Sequence, residues 1–270
     1  MNETGNRFLE LFFEVYEALP RQGPGNRACA ARALALCREL PPAPAVLDVG
    51  CGGGGQTLHL AELLPTASIV AIDSHAPLLA RLKSEARKRG LDARLKAVEA
   101  DMAKPGLPER SFDLVWSEGA LYSIGLRKAL RVCRGLLRPG GCLAFTDAVW
   151  RKDDPPAEVK AAFDADYPGM GRSEDVLAAL ADAGFDYVGG FLLPDEAWQD
   201  DFYTPMRHRI AELRRTYGGD AEALAALDEI AREPDMHNQH SDCYAYEFFV
   251  ARLPEARKPG SYNGRNDLVS

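Results

Sequence analysis

Residues 46–57 read VLDVGCGGGGQT: an apolar run, an acid, a cluster of glycines and the start of a helical pattern. Glycine lets backbone come close to a ligand, because no Cβ intervenes and positive φ costs it little. Two spacings coexist here. Gly50, Gly52 and Gly55 fit the G-x-G-x-x-G turn that cradles a dinucleotide pyrophosphate. Gly50, Gly52 and Gly54 equally fit a shorter G-x-G-x-G turn. Carboxylates recur along the same half of the chain, at Asp48, Asp73, Asp101, Glu118 and Asp147. Groups suited to moving a proton or orienting a reactant are Glu118, Tyr122, His237 and His240, the histidines lying in a polar stretch, 236–242. Those histidines and Asp242 form no ligand set of the usual zinc spacing, and no metal is expected.

Apolar or β-branched runs at 45–49, 68–72, 93–98, 112–116 and 142–146 alternate with helical patterns at 56–64, 77–90 and 127–137, the last stopped by Pro139-Gly140-Gly141. That alternation predicts parallel βαβ units and a doubly wound α/β sheet. In such sheets ligands sit beyond the carboxyl ends of the strands, where the strand order reverses. The acids therefore fall on one edge. They suit a ligand with a ribose diol, an adenine amine and a cationic head. Asp73 would accept the ribose hydroxyls, and Asp101, with the backbone of Met102, would face the adenine amine. A pyrophosphate would meet repulsion from so many carboxylates.

The 270 residues, 46% of them apolar, suit a single domain over 1–253. We expect a helical cover at 1–41, a ligand-binding core at 42–150 and a C-terminal half at 151–253 that carries a helical insertion, 198–233. A loose Pro/Gly-bearing tail follows at 254–270. Within the C-terminal half, 173–183 reads as a helix with Ser173 as N-cap, and 185–193 and 244–251 as strands. The formal charge of −8 argues against nucleic acid as a partner. No uncharged stretch is long enough to span a membrane, and the N-terminus lacks a signal-peptide pattern. Six cysteines without a C-x-x-C pair read as free thiols of a reducing compartment, hence a cytoplasmic protein. Phe163, Tyr167, Trp198, Phe202 and Tyr203 suggest either a partly apolar small-molecule partner or ordinary packing of helices on the sheet.

Taken in order, VLDVGCGGGG (46–55), AIDSH (71–75), EADM (99–102), FDLVWSEGALY (112–122) and LLRPGGCLAFTD (136–147) resemble the motifs of the class I S-adenosylmethionine-dependent methyltransferases. The similarity is to the group that includes the ubiquinone/menaquinone-biosynthesis-like (type 11) small-molecule enzymes. It implies a seven-stranded Rossmann-like sheet with an antiparallel last strand, and S-adenosylmethionine as methyl donor, leaving S-adenosylhomocysteine. By position, Gly50, Gly52 and Gly54 would line the methionine portion, and Asp48 would reach its ammonium through water or support the loop. Gln56 and Thr57 would touch the ligand or cap the helix. Asp73 and Ser74 would serve the ribose, Asp101 and Met102 the adenine, and Ser117 and Glu118 the end of the fourth strand. A segment reading Ser-Glu-Gly-Ala at 117–120, in place of the Asn/Asp-Pro-Pro-Tyr of enzymes that methylate adenine or glutamine amines, turns the expectation toward a small-molecule acceptor. Two other readings stay open: a non-catalytic S-adenosylmethionine-binding protein and a nicotinamide-dependent oxidoreductase. Acceptor atom and oligomeric state are not encoded in any motif.

Overall fold

A computed structural model describes residues 3–255; of the expected tail at 254–270, residues 256–270 lie outside the described residues. Two helices come first, α1 (Glu3–Tyr16) and α2 (Arg27–Leu36). The sheet then begins: β1 (Ala45–Val49), α3 (Gly55–Leu63), β2 (Ser68–Asp73), α4 (Ala76–Lys88), β3 (Leu95–Glu99), β4 (Phe112–Glu118), α5 (Leu126–Leu136) and β5 (Leu137–Trp150). After α6 (Ala157–Asp166), α7 (Ser173–Asp182) and β6 (Asp186–Leu192) the chain turns helical through α8 (Glu196–Trp198), a π-helical turn (Gln199–Tyr203), α9 (Thr204–Thr216) and α10 (Ala221–His240). Strand β7 (Tyr244–Arg252) ends it.

The seven strands lie in the order β3-β2-β1-β4-β5-β7-β6, with β7 antiparallel to both β5 and β6. Order reverses between β1 and β4, so their carboxyl ends open a crevice. Alternation along β1 fixes the two faces. Val46 joins a core built with α2, α3 and α4, whereas Leu47 and Val49 join one built with α5 and α7. A third cluster holds Leu11, Val15 and Leu19 against Trp198, Phe202, Met206, Leu227 and Ile230, so α1 and the late helices form one cover.

Local differences from the sequence reading have local causes. β5 starts at Leu137 and runs through Pro139-Gly140-Gly141 instead of beginning after them. A register shift opposite Phe112/Leu114 absorbs the irregularity, and Gly140, at φ +82°, turns its N–H to Leu253 O. Ser173 is not the N-cap of α7: Arg172 is, and the Ser173 hydroxyl bonds Glu247. The helical insertion is longer than 198–233, because α10 continues through Pro234 to His240. Its buried positions, Ala223, Ala226, Leu227, Ile230, Pro234 and His237, keep a helical spacing across the proline.

Candidate functional site

At the β1/β4 reversal a cavity of about 250 Å³ is floored by Gly50 and Gly52 and walled by Asp73, Glu118 and Tyr122. The glycine turn is tied to β2, since the N–H groups of Gly50 and Cys51 both donate to Ile72 O at 2.9 Å. Gly52 N–H donates to Asp73 Oδ2 at 2.8 Å, and His75 N–H to Asp73 Oδ1 at 2.9 Å. Gly50 has φ +69°, and a Cβ on it would lie 2.3 Å from the Ala120 Cβ. No other residue type fits there.

The roof is the segment 17–25, laid across the cavity as a strap. Gln22 Oε1 accepts the Gly53 N–H at 2.7 Å, and Arg81 Nη1 donates to Glu17 O at 2.8 Å and Leu19 O at 2.5 Å. Beside it His75 pairs with Glu17 at 2.7 Å and stacks on Phe13, ring centroids 4.7 Å apart. Arg21 reaches inward, and its Nη2 meets Glu118 Oε2 at 2.6 Å with side chains only 4% and 2% exposed. Glu118 Oε1 accepts the Trp116 indole N–H at 2.8 Å. Arg21 Nη1 is buried and has no hydrogen-bond partner. Arg21 is also one of the residues that line the cavity, and a guanidinium nitrogen left without a partner is suited to an anionic group.

Under the turn, Asp48 is fully buried. Its Oδ2 accepts the Thr57 hydroxyl at 2.5 Å, its Oδ1 has no partner, and burial pushes its pKa up to about 7.

The comparisons with known proteins agree with this geometry. The methyltransferase-domain family profile matches residues 46–141. Trans-aconitate 2-methyltransferase of Variovorax paradoxus (strain S110) is 30% identical over 200 residues, 72% of this chain and 73% of the relative. The chain belongs to the class I S-adenosylmethionine-dependent methyltransferases. Sarcosine/dimethylglycine N-methyltransferase of Halorhodospira halochloris is 28% identical over 165 residues, 60% of this chain and 59% of the relative's length. An S-adenosylhomocysteine complex of a methyltransferase from Geobacter sulfurreducens shares the fold at a TM-score of 0.75 and 19% identity, over 90% of this chain and 97% of that one.

The cavity fits the family's donor. Gly50 and Gly52 leave a cradle that a Cβ would fill, Arg21, with its unpaired Nη1, suits the donor's carboxylate, and Asp73 suits its hydroxyls. Gln56 and Met102 also line the cavity, Gln56 donating to Cys51 O at 3.2 Å.

Several expected contacts lie elsewhere. Gly54 faces α4: its Cβ would stand 2.2 Å from Leu82 Cδ1, so helix packing demands the glycine. Ser117 is buried and donates to Val49 O at 2.8 Å, which ties β4 to β1. Thr57 is taken by Asp48. Ser74 is exposed. Asp101, next to the cavity-lining Met102, is exposed too, and its carboxylate accepts the Ala103 N–H at 2.7 Å to close a turn.

Of the proton-transfer candidates, Tyr122 and Glu118 wall the cavity, but both Glu118 oxygens are engaged. The histidines sit on α10, not in a loop. His237 is buried, stacks on Trp198 at 4.1 Å and has its pKa lowered by burial, while His240 pairs with Glu158 at 3.0 Å. Neither lines the cavity. Trp198, Phe202 and Tyr203 belong to the core of the cover. Arg21 and Gln22 escaped the motif reading, although an arginine and an amide within Pro20-Arg-Gln-Gly-Pro-Gly25 carry polar groups in a stretch assigned only to the helical cover. Among the described residues no helix is long and apolar enough to cross a membrane.

Proposed function

We propose that this protein binds S-adenosylmethionine in the cavity and transfers its methyl group to a small-molecule acceptor by in-line displacement. The observation that carries this reading is a single cavity lined by the glycine cradle, Asp73 and Arg21, whose Nη1 is buried without a hydrogen-bond partner. The bound donor would supply an electrophilic methyl on a sulfonium. The chain's own task is then positional, and holding two reactants in line contributes on the order of 7–11 kcal/mol toward lowering a barrier. Arg21 would fix the methionine carboxylate and Asp73 the ribose, while Glu118 holds Arg21 and Trp116 in place. The strap would exclude water from the reacting groups. The named relatives act on acceptors as unlike as sarcosine or dimethylglycine and trans-aconitate.

The test is transfer of label from methyl-labelled S-adenosylmethionine to a small-metabolite extract, with S-adenosylhomocysteine binding followed by calorimetry. We expect a labelled small molecule with the wild type. In Asp73→Ala, binding should weaken about tenfold or more, the loss of hydrogen bonds to a charged group. Binding without any labelled product would favour a non-catalytic donor-binding protein. Absence of both would sink the donor assignment as well.

A further inference from the structure

Three residues of the strap, Arg21, Gln22 and Gly23, line the cavity. Much of the remaining wall is held by regular structure. Gly50 is tied to β2 through Ile72 O, Asp73 and Glu118 end β2 and β4, and Gln56 and Leu78 lie on α3 and α4. The strap has no such ladder. Among the described residues, no backbone group of 20–24 bonds to another backbone group. Side chains make its fastenings, and a Cβ on Gly23 would meet open space.

Gln22 makes the fastening that reaches the glycine cradle. Its Oε1 accepts the Gly53 N–H at 2.7 Å, and the same oxygen lies 2.7 Å from where a Cβ on Gly52 would stand. Its Nε2 donates back to Tyr16 O at 3.0 Å and Leu19 O at 3.2 Å. Those carbonyls belong to the last residue of α1 and the turn after it, where a helix leaves acceptors unfilled. One carboxamide thus spends its acceptor on the glycine turn and its donors on the end of α1. α1 is itself fixed in the cover, where Tyr16 donates to Glu233 at 2.6 Å and Tyr217 to Glu14 at 3.0 Å. Gln22 therefore joins the cover to the cradle.

We infer that Gln22 is a positioning residue for the donor: its carboxamide latches the strap onto the glycine turn, and the donor enters and its product leaves when that latch opens. The inference rests on the methyl-transfer reading above and adds the route by which the cavity exchanges its ligand. The moving part is short. Arg21 keeps its buried pair with Glu118, while Gln22 and Gly23 beside it swing out; past the latch, Gly23 O and Pro24 O meet Arg21 at 3.4 and 3.3 Å. Neutral hydrogen bonds suit such a latch, because each is replaced by water at little net cost. Closed, it sets the turn under the strap and keeps water from the donor. Open, it frees product, a step that limits turnover in many enzymes.

The test is stopped-flow binding of S-adenosylhomocysteine, followed by tryptophan fluorescence, in the wild type, Gln22→Met and Gln22→Glu. Gln22 is partly exposed, so both variants keep the fold. Methionine matches the length and loses all three hydrogen bonds. Glutamate still accepts from Gly53 but loses both bonds to the end of α1. We expect each variant to raise association and dissociation together, by about tenfold, the factor that one or two net hydrogen bonds support, with affinity changing less than either rate. A new charge acting on the ligand alone would drive the two rates in opposite directions. An unchanged association rate in Gln22→Met, or wild-type rates in Gln22→Glu, would overturn the latch. Calorimetry on the wild type reads the donor site separately. No uptake of S-adenosylhomocysteine there would sink the donor assignment and the latch with it, whereas uptake with unaltered rates in the variants sinks the latch alone.

Discussion

Arg21 carries more of the site than any other side chain. Its Nη2 neutralises Glu118 in a pair almost wholly withdrawn from water, and its Nη1 is buried without a hydrogen-bond partner. Removing one member of a buried pair strands the other, at about 3–5 kcal/mol, whereas removing both charges together is often close to neutral. Arg21→Ala should therefore lower the urea midpoint markedly, and Arg21→Met with Glu118→Gln should restore most of it. Both variants should lose at least about tenfold in S-adenosylhomocysteine affinity, because neither offers Nη1 to the carboxylate. Recovery of binding together with stability in the double variant would show that Arg21 serves the fold alone. At this scale the sequence told chemistry from packing unevenly. Gly50 and Gly54 look alike in the motif, yet one faces the cavity and the other Leu82. Ser117 and Thr57 were polar residues beside a motif, and buried partners on neighbouring elements claim both. Side-chain partners supplied by distant segments, as Arg21 is to Glu118, leave no local pattern to read.

Among the elements, the strap at 17–25 has the least regular structure and the most specific fastenings. Arg81, on α4, holds the carbonyls of Glu17 and Leu19, which no helix satisfies. Each such bond to a charged donor stabilises by about 1.5–3 kcal/mol. Arg81→Ala should speed amide exchange across 17–25 about tenfold or more, with exchange in β1 and β4 unchanged. If protection in the strap survives, Gln22 and Arg21 suffice to hold it. Helix and strand existence was legible nearly everywhere, because apolar period and turn chemistry agree. The misreadings fall where one residue pointed the wrong way. Pro234 signals a helix end, but burial of Ile230, Pro234 and His237 on one face carries α10 past it. His237 and His240 were consequently read in a loop that does not exist.

For the whole molecule, the doubly wound sheet and the separation of its two cores follow from the βαβ rhythm and the alternation in β1, both plain in the sequence, whereas the antiparallel last strand was implied by the family resemblance alone. What neither pattern reveals is that two strand carboxylates, Asp48 and Asp147, lie inside those layers. Burial pushes each up to about 7, against about 4 in an unfolded chain. Between those values the folded protein keeps protons that the unfolded chain has released, so unfolding sheds protons and stability falls as pH rises from about 4 to about 7, then levels. Carboxylates held below their usual range, such as Asp220 and Asp242, act in the opposite sense and at lower pH. The contribution of Asp48 is isolated by subtraction. Asn at this position keeps an oxygen for the Thr57 hydroxyl and does not titrate. Urea unfolding at pH 5 and pH 7.5 should show the wild type losing on the order of 2 kcal/mol more than Asp48→Asn across that interval. Equal losses would mean that Asp48 is already ionised in the folded protein at pH 5, with its free Oδ1 reached by a cation or by water.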